Sequence, residues 1–299
     1  MATRMIMLFL VLALAVPCSV QARSSAPGHL VSVVRSAETG PFGLLGGVFF
    51  DEARKRLYVA DTSGGRILAY DSTFGFVSQF DGGGVLSAPS ALVRDESGRF
   101  YVIQAGEDAV LTVDMQRKTM EPLSFDGVQG INAVHPVNLA LDGDDNLYVA
   151  DAANQQILMF GPDRRYHGAI SVPHGDGLRD VKVTGGRVYT VNALRGGVCV
   201  YDLSGRLVTQ FGERGRERGE MAFPVSLAVA SGGQVHVLDR HRCKILVFTA
   251  KGKFLHEFSR EGWREGRLHY PSYLYRNEAG QLFVVDRQNE RVSVFEQGR

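Results

Sequence analysis

The stretch LYVADTSGGRILAYD, residues 57–71, decides the fold because the chain repeats its pattern five more times. The copies are FYVIQAGEDAVLTVD (100–114), LYVADAANQQILMFG (147–161), VYTVNALRGGVCVYD (188–202), VHVLDRHRCKILVFT (235–249) and LFVVDRQNERVSVFE (282–296). Each holds a short apolar run closed by a polar residue, then a turn, then a second apolar run. The closing residues are Asp61, Gln104, Asp151, Asn192, Asp239 and Asp286, separated by 43, 47, 41, 47 and 47 positions. Self-similarity at such a period marks a repeat architecture.

Working outward, each unit contains four strand-like stretches. In the third they begin at Pro136 (PVNLALD), Asn146 (NLYVAD), Gln155 (QQILMFG) and Arg164 (RRYHGAIS). Val, Ile, Leu, Tyr and Phe fill them, and Gly, Asp and Asn separate them, as strands and tight turns require. No stretch keeps a helical period. Four strands in about 45 residues, repeated radially, describe a propeller blade. The expected fold is all-β: a six-bladed β-propeller of four-stranded antiparallel blades. The blades fall at roughly 40–81, 82–127, 130–172, 173–215, 216–262 and 263–299. The last repeat ends after its third strand, and the orphan apolar stretch HLVSVVRS (29–36) is expected to supply the fourth. That pairing closes the ring and removes two exposed sheet edges.

Ahead of the repeats, Arg4, the apolar run Met5–Val16, Pro17 and the small residues of Val20-Gln21-Ala22 read as a secretory signal peptide over residues 1–22. Its twelve apolar residues are short for a bilayer span, and no other segment is apolar enough to cross one. Residues 23–299 are then a single exported domain, periplasmic or secreted, and are expected to be monomeric. The 299 residues are 44% hydrophobic and 22% charged, with 33 basic and 32 acidic side chains for a net charge of +1. That balance offers no basic surplus for a phosphate backbone, so no nucleic-acid partner is expected. Cleavage leaves Cys199 and Cys243, in different repeats and without metal-type spacing; they read as two small buried hydrophobes rather than a disulfide.

The units resemble NHL repeats: a Pro-x-small-Leu start, a Gly-rich turn, a Tyr-Val-x-Asp strand and then Asn-x-x-Ile-x-x-Phe. Tyr58-Val59-Ala60-Asp61, Tyr148 to Asp151, Val237-Leu238-Asp239 and Val284-Val285-Asp286 carry the likeness, with Asn154 and Asn289 at the Asn position. Blades two and four depart from it, with Gln104 and Asn192 in place of Asp. Arg66, Lys244 and Arg291 each follow an Asp by five places and are expected to pair with it across the turn. The resemblance implies a propeller, whereas propellers host scaffolds, binders and enzymes alike.

Aligning the blade starts gives a channel-facing column of Gly47, Ala91, Asn138, Asp180, Ser226 and Tyr273. The neighbouring column is Gly46, Ser90, Val137, Arg179, Val225 and Ser272. Polar groups concentrate on blades three, four and six, and with Ser226 of blade five the candidate ligand-binding residues at a channel mouth are Asn138, Arg179, Asp180, Ser226 and Tyr273. Two long inter-blade loops, GERGRERGEMAFP (212–224) and REGWREGRLHYP (260–271), mix both signs of charge. Arg216, Trp263 and Arg264 on them are of types enriched at protein interfaces and are the candidate interface residues. The Asp column reads as backbone hydrogen bonding around each turn rather than as a metal ring. Asp142 to Asn146 begins like a calcium loop, but Leu147 and Ala153 stand where Gly and Glu are needed, so it reads as a hairpin turn. His135 and His269 lie near Pro136 and Pro271 without a metal-binding spacing.

These residues point first to an exported binding or scaffold protein contacting proteins or ligands in the cell envelope, with no cofactor and no catalytic residues assigned. The alternative is a metal-dependent propeller enzyme of lactonase or lyase type. The resemblance implies His after the blade-opening Pro for the lyases, where this chain has Ser90, Val137, Val225 and Ser272. For a lactonase it implies a calcium held by Glu, Asn and Asp; Asn138 and Asp180 are available, but the column contains no Glu.

Overall fold

A computed structural model describes residues 28–37, 40–128, 133–172 and 177–296. The expected signal peptide lies outside them. Six four-stranded antiparallel sheets account for almost every element. Within the first five, the chain runs from the innermost strand outward, so sequence neighbours pair through short hairpins. Blade three has the four strands read from the sequence, Pro136–Leu141, Leu147–Asp151, Gln156–Phe160 and Tyr166–Ser171.

The ring closes as expected. His29–Val34 pairs antiparallel with Arg291–Glu296 and becomes the outermost strand of the sixth blade, beyond Leu282–Asp286 and Tyr273–Arg276. Past it, Arg35 turns to an ion pair with Glu265 at 2.9 Å, and Ser36–Ala37 pairs with Gly40–Pro41.

Alternating strand residues face the two neighbouring blades, and each seam between blades holds its own apolar cluster. Val48, Val59 and Leu68 of blade one pack with Phe283, Val285 and Val292 of blade six. Val225, Ile245 and Val247 of blade five meet Leu274, Leu282 and Val284 of blade six on its other side. The remaining four clusters bridge blades one and two, two and three, three and four, and four and five. The core is therefore a ring of apolar seams around a polar axis.

Polar clasps cross the same seams. Buried Asp95 of blade two accepts hydrogen bonds from Ser97 Oγ (2.6 Å), Tyr101 OH (2.9 Å) and Arg99 (3.0 Å), and pairs with Arg164 of blade three at 3.1 Å. Burial alone would raise its pKa, but these hydrogen bonds outweigh it and hold the carboxyl down to about 2. Asp142 accepts from the backbone N–H groups of Asp144 and Asn146 and from Tyr148 OH, so its segment is a hairpin turn.

The closing residues of the second strands act as structural clips. Asp61 accepts from Gly43 and Gly64, Asp151 from His135 and Ala153, and Asp286 from His269, joining each turn to the loop that enters the blade. Gln104 takes Ser87 in the same manner, and Asn192 takes Leu194 and Arg195 within its own turn. Arg66 and Arg291 pair with Asp61 and Asp286 at 2.9 and 2.8 Å, as expected. Lys244 departs from that expectation. It bonds Glu257, while the oxygens of Asp239 are taken by the N–H groups of Ala222, Phe223, His241 and Arg242. Cys199 and Cys243 are both free thiols, and burial pushes both up from the usual thiol range.

Candidate functional site at the channel mouth

The channel column converges as aligned. Asn138, Asp180 and Ser226 sit at equivalent places on the innermost strands of blades three, four and five, just past a β-bulge in each. Asp180 is the hub and is fully buried. Its Oδ1 accepts from Asn138 Nδ2 at 2.6 Å and Lys182 Nζ at 2.5 Å. Its Oδ2 accepts from Ser226 Oγ at 2.5 Å and the Leu227 amide at 2.9 Å. Lys182 also donates to Tyr273 OH at 3.1 Å, and its ammonium lies 4.5 Å from the Tyr273 ring centre. On the opposite side of the axis blades one and two approach closely. A Cβ on Gly46 would meet the Ser90 carbonyl oxygen at 2.5 Å, which is why glycine stands there.

Burial raises the Tyr273 phenol, an effect Lys182 opposes and Asp180 reinforces. Burial would lower the Lys182 ammonium, but Asp180 and Tyr273 more than offset it and its pKa ends raised. Both groups therefore keep their protons at neutral pH, far from the matched pKa that general acid–base work favours. The cluster is also a poor cation site, because every Asp180 oxygen is engaged and a metal would have to displace an ammonium. Among the described residues no three His, Cys, Asp or Glu side chains are grouped to hold a metal ion.

Arg179 belongs to a different place. The bulge between Leu178 and Asp180 turns successive side chains apart, so Asp180 enters the axis and Arg179 lies exposed at the mouth. Bulges between Pro89 and Ala91, Pro136 and Asn138, and Pro224 and Ser226 do the same for Ser90, Val137 and Val225. With Ser272 these residues line a cavity of about 260 Å³ that also receives Arg240, Arg287 and His135. The opposite mouth holds a cavity of about 320 Å³ lined by Glu52, Lys182, Tyr275, Arg276 and Glu278 among others. Tyr273 lines both, so the Asp180 cluster stands between the two ends.

Alignment of the repeats did not single out Lys182, Arg240 or Arg287. Lys182 was detectable as the residue two places beyond Asp180, hence on the same strand face. Arg240 and Arg287 each directly follow the Asp of their blade, where the other blades have Thr62, Ala105, Ala152 and Ala193. Arg240 donates to the Pro271 carbonyl at 3.3 Å and lies 5.8 Å from the Phe223 ring centre. Burial pulls its pKa down, and repulsion from Arg287 and Arg179 pulls it further.

The interface candidates lie on the loops entering blades five and six, on the same face as the Arg-lined mouth. Arg216, Trp263 and Arg264 are all exposed, Trp263 by 67%. Each loop is pinched by a bridge, Arg214 to Met221 and Glu261 to Leu268. Fully buried Arg291 anchors the second loop by donating to the carbonyls of Trp263, Arg264 and Arg267 at 3.3, 3.0 and 2.7 Å. Trp263 rests on His269 with ring centres 4.1 Å apart, while His135 pairs with Asp108 at 2.8 Å. The two histidines thus have separate partners.

No protein-family model matches the chain, and no curated protein matches its sequence. Solved structures do match it in shape. A streptogramin B lyase aligns with a TM-score of 0.64 at 10% identity, covering 91% of this chain and 97% of that one. A catalytically inactive virginiamycin B lyase from Staphylococcus aureus, solved with quinupristin, gives 0.62 at 9% identity over 84% and 80%. A gluconolactonase from Xanthomonas campestris gives 0.63 at 13% identity over 91% and 97%. At these identities the likeness establishes the fold this chain shares with them, a six-bladed propeller.

Proposed function

We propose that the protein is an exported, non-catalytic binding module of NHL type that takes its ligand or partner on the Arg-lined channel mouth. One observation carries the reading. The polar groups of the axis satisfy one another, whereas the arginines at the mouth have no acidic partner among the described residues. Exposed Trp263, Arg216 and Arg264 on the same face suit contact with a protein of the cell envelope. The likeness to lyases and a gluconolactonase favours the alternative, a metal-dependent enzyme, only through the fold.

The test is affinity capture from the envelope fraction of the source cells, comparing the parent with an Arg179→Ala/Trp263→Ala variant. A partner held by the parent and lost by the variant supports the binding module. Lactone hydrolysis or streptogramin B cleavage by the parent, with divalent cations added, would replace it with the enzyme reading. N-terminal sequencing of the exported chain is expected to begin at Arg23.

A further inference from the structure

We propose that the channel mouth between Arg179, Arg240 and Arg287 is a recognition site for a compact oxyanion carrying two or more carboxylate or phosphate groups. The inference rests on the binding-module reading and names the chemistry of its ligand. Three guanidinium groups from blades four, five and six line one cavity, and among the described residues no Asp or Glu lines it with them. None of the three has a carboxylate partner among the described residues. They are close enough for Arg179 and Arg287 to disfavour the charge on Arg240. Such an arrangement disfavours folding unless something of opposite sign enters.

A second observation points the same way. Arg287 Nε and Ser272 Oγ are both shielded from solvent without a hydrogen-bond partner, and both residues line this cavity. A buried donor left unpaired is costly, so a small shift of these two side chains toward an entering ligand oxygen would relieve that cost. Guanidinium groups match carboxylate and phosphate oxygens in planar, two-pronged geometry. At about 260 Å³ the cavity falls below the roughly 300–1,000 Å³ typical for drug-sized ligands, which favours a compact molecule. Three arginines spread over three blades ask for more than one anionic group.

Calorimetric titration of the mature protein in about 0.15 M salt, with citrate and pyrophosphate as probes and sorbitol as the neutral control, tests this. At least one anion is expected to bind with a Kd below about 1 mM and sorbitol is not. Citrate alone binding marks a carboxylate ligand, pyrophosphate alone a phosphate ligand, and either supports the site. Arg179→Ala and Arg287→Ala should each weaken binding about tenfold or more. Because each also relieves repulsion, neither should lower the melting temperature of the unliganded protein, which separates a ligand contact from a structural one. Failure of both anions to bind, or equal binding by the triple Arg→Ala variant, overturns the proposal. If both anions fail while envelope capture still depends on Arg179 and Trp263, the oxyanion site falls and the binding module stands. If anions bind but lactone or streptogramin turnover appears, the binding-module reading falls and the oxyanion site stands.

Discussion

Lys182 keeps its charge at the axis chiefly because Asp180 faces it, so the two residues form a unit whose halves cannot be removed separately. Asp180→Ala strands the ammonium and leaves Asn138 Nδ2 and the Leu227 amide without their acceptor. Breaking a buried pair in this way costs about 3–5 kcal/mol, whereas replacing both charges by apolar groups of similar volume is often close to neutral. Both Asp180→Ala and Asp180→Leu/Lys182→Met leave Asn138 Nδ2, Ser226 Oγ and the Leu227 amide without that acceptor. Urea unfolding should therefore show Asp180→Ala the less stable of the two by the cost of the stranded ammonium alone, and equal losses would dissolve the unit. Asp95 makes a prediction in pH. Its folded pKa of about 2 lies below the unfolded value of about 3.9, so its contribution is fully present above pH 4 or so. It is lost as pH falls through the folded pKa, and amounts to about 2 kcal/mol. Measured from about pH 4 to 2, the parent should lose that much more unfolding free energy than Asp95→Asn; identical slopes would show that the hydrogen bonds from Ser97, Arg99 and Tyr101 do not hold this carboxyl down.

The strand His29–Val34 bears weight out of proportion to its length. It supplies the outer partner of Arg291–Glu296, and Val34 and Leu30 pack against separate apolar seams of blade six. Deleting residues 28–37 leaves Arg291–Glu296 as an unpaired, mostly apolar edge, the kind of edge that templates aggregation. The deletion variant is expected to melt several degrees lower and to scatter light on concentration; a parent-like melting curve and monomeric elution would show that closure is dispensable. This strand was legible in the sequence because the last repeat visibly lacks a quarter and the apolar stretch before residue 40 has no other place. Strands within blades were legible for the same reason, since alternation and turn residues recur six times. Lys244 was not, because its five-residue offset from Asp239 says nothing of Glu257 on the next strand, which a flexible ammonium reaches while backbone amides fill Asp239. Arg240 and Arg287 occupy a turn position that varies from blade to blade, so comparison of repeats hides them. The radial packing of blades four, five and six places them beside Arg179.

At the scale of the whole molecule, six seams of apolar side chains hold a ring whose axis is plugged by mutually satisfied polar groups and whose one mouth is left basic. The fold is shared with a gluconolactonase and with a streptogramin B lyase. An enzyme reading of lactonase type requires a divalent cation bound near Asn138 and Asp180. Here Asp180 gives all its oxygens to Asn138, Lys182, Ser226 and Leu227, so a calcium ion must evict an ammonium and break four hydrogen bonds. Thermal unfolding measures that choice directly. A cation present at about one hundred times its Kd stabilises the folded state by about 2.7 kcal/mol, which for a chain of this size raises the melting temperature by about 5 °C. The melting temperature in calcium is therefore expected to match that in chelator. Addition of citrate or pyrophosphate, by contrast, should raise it in the parent and leave the triple Arg→Ala variant unmoved. A calcium-dependent rise that disappears in Asn138→Ala would show the axis opening to a metal, and the mouth would then be read as the entrance to a catalytic channel rather than as the site itself.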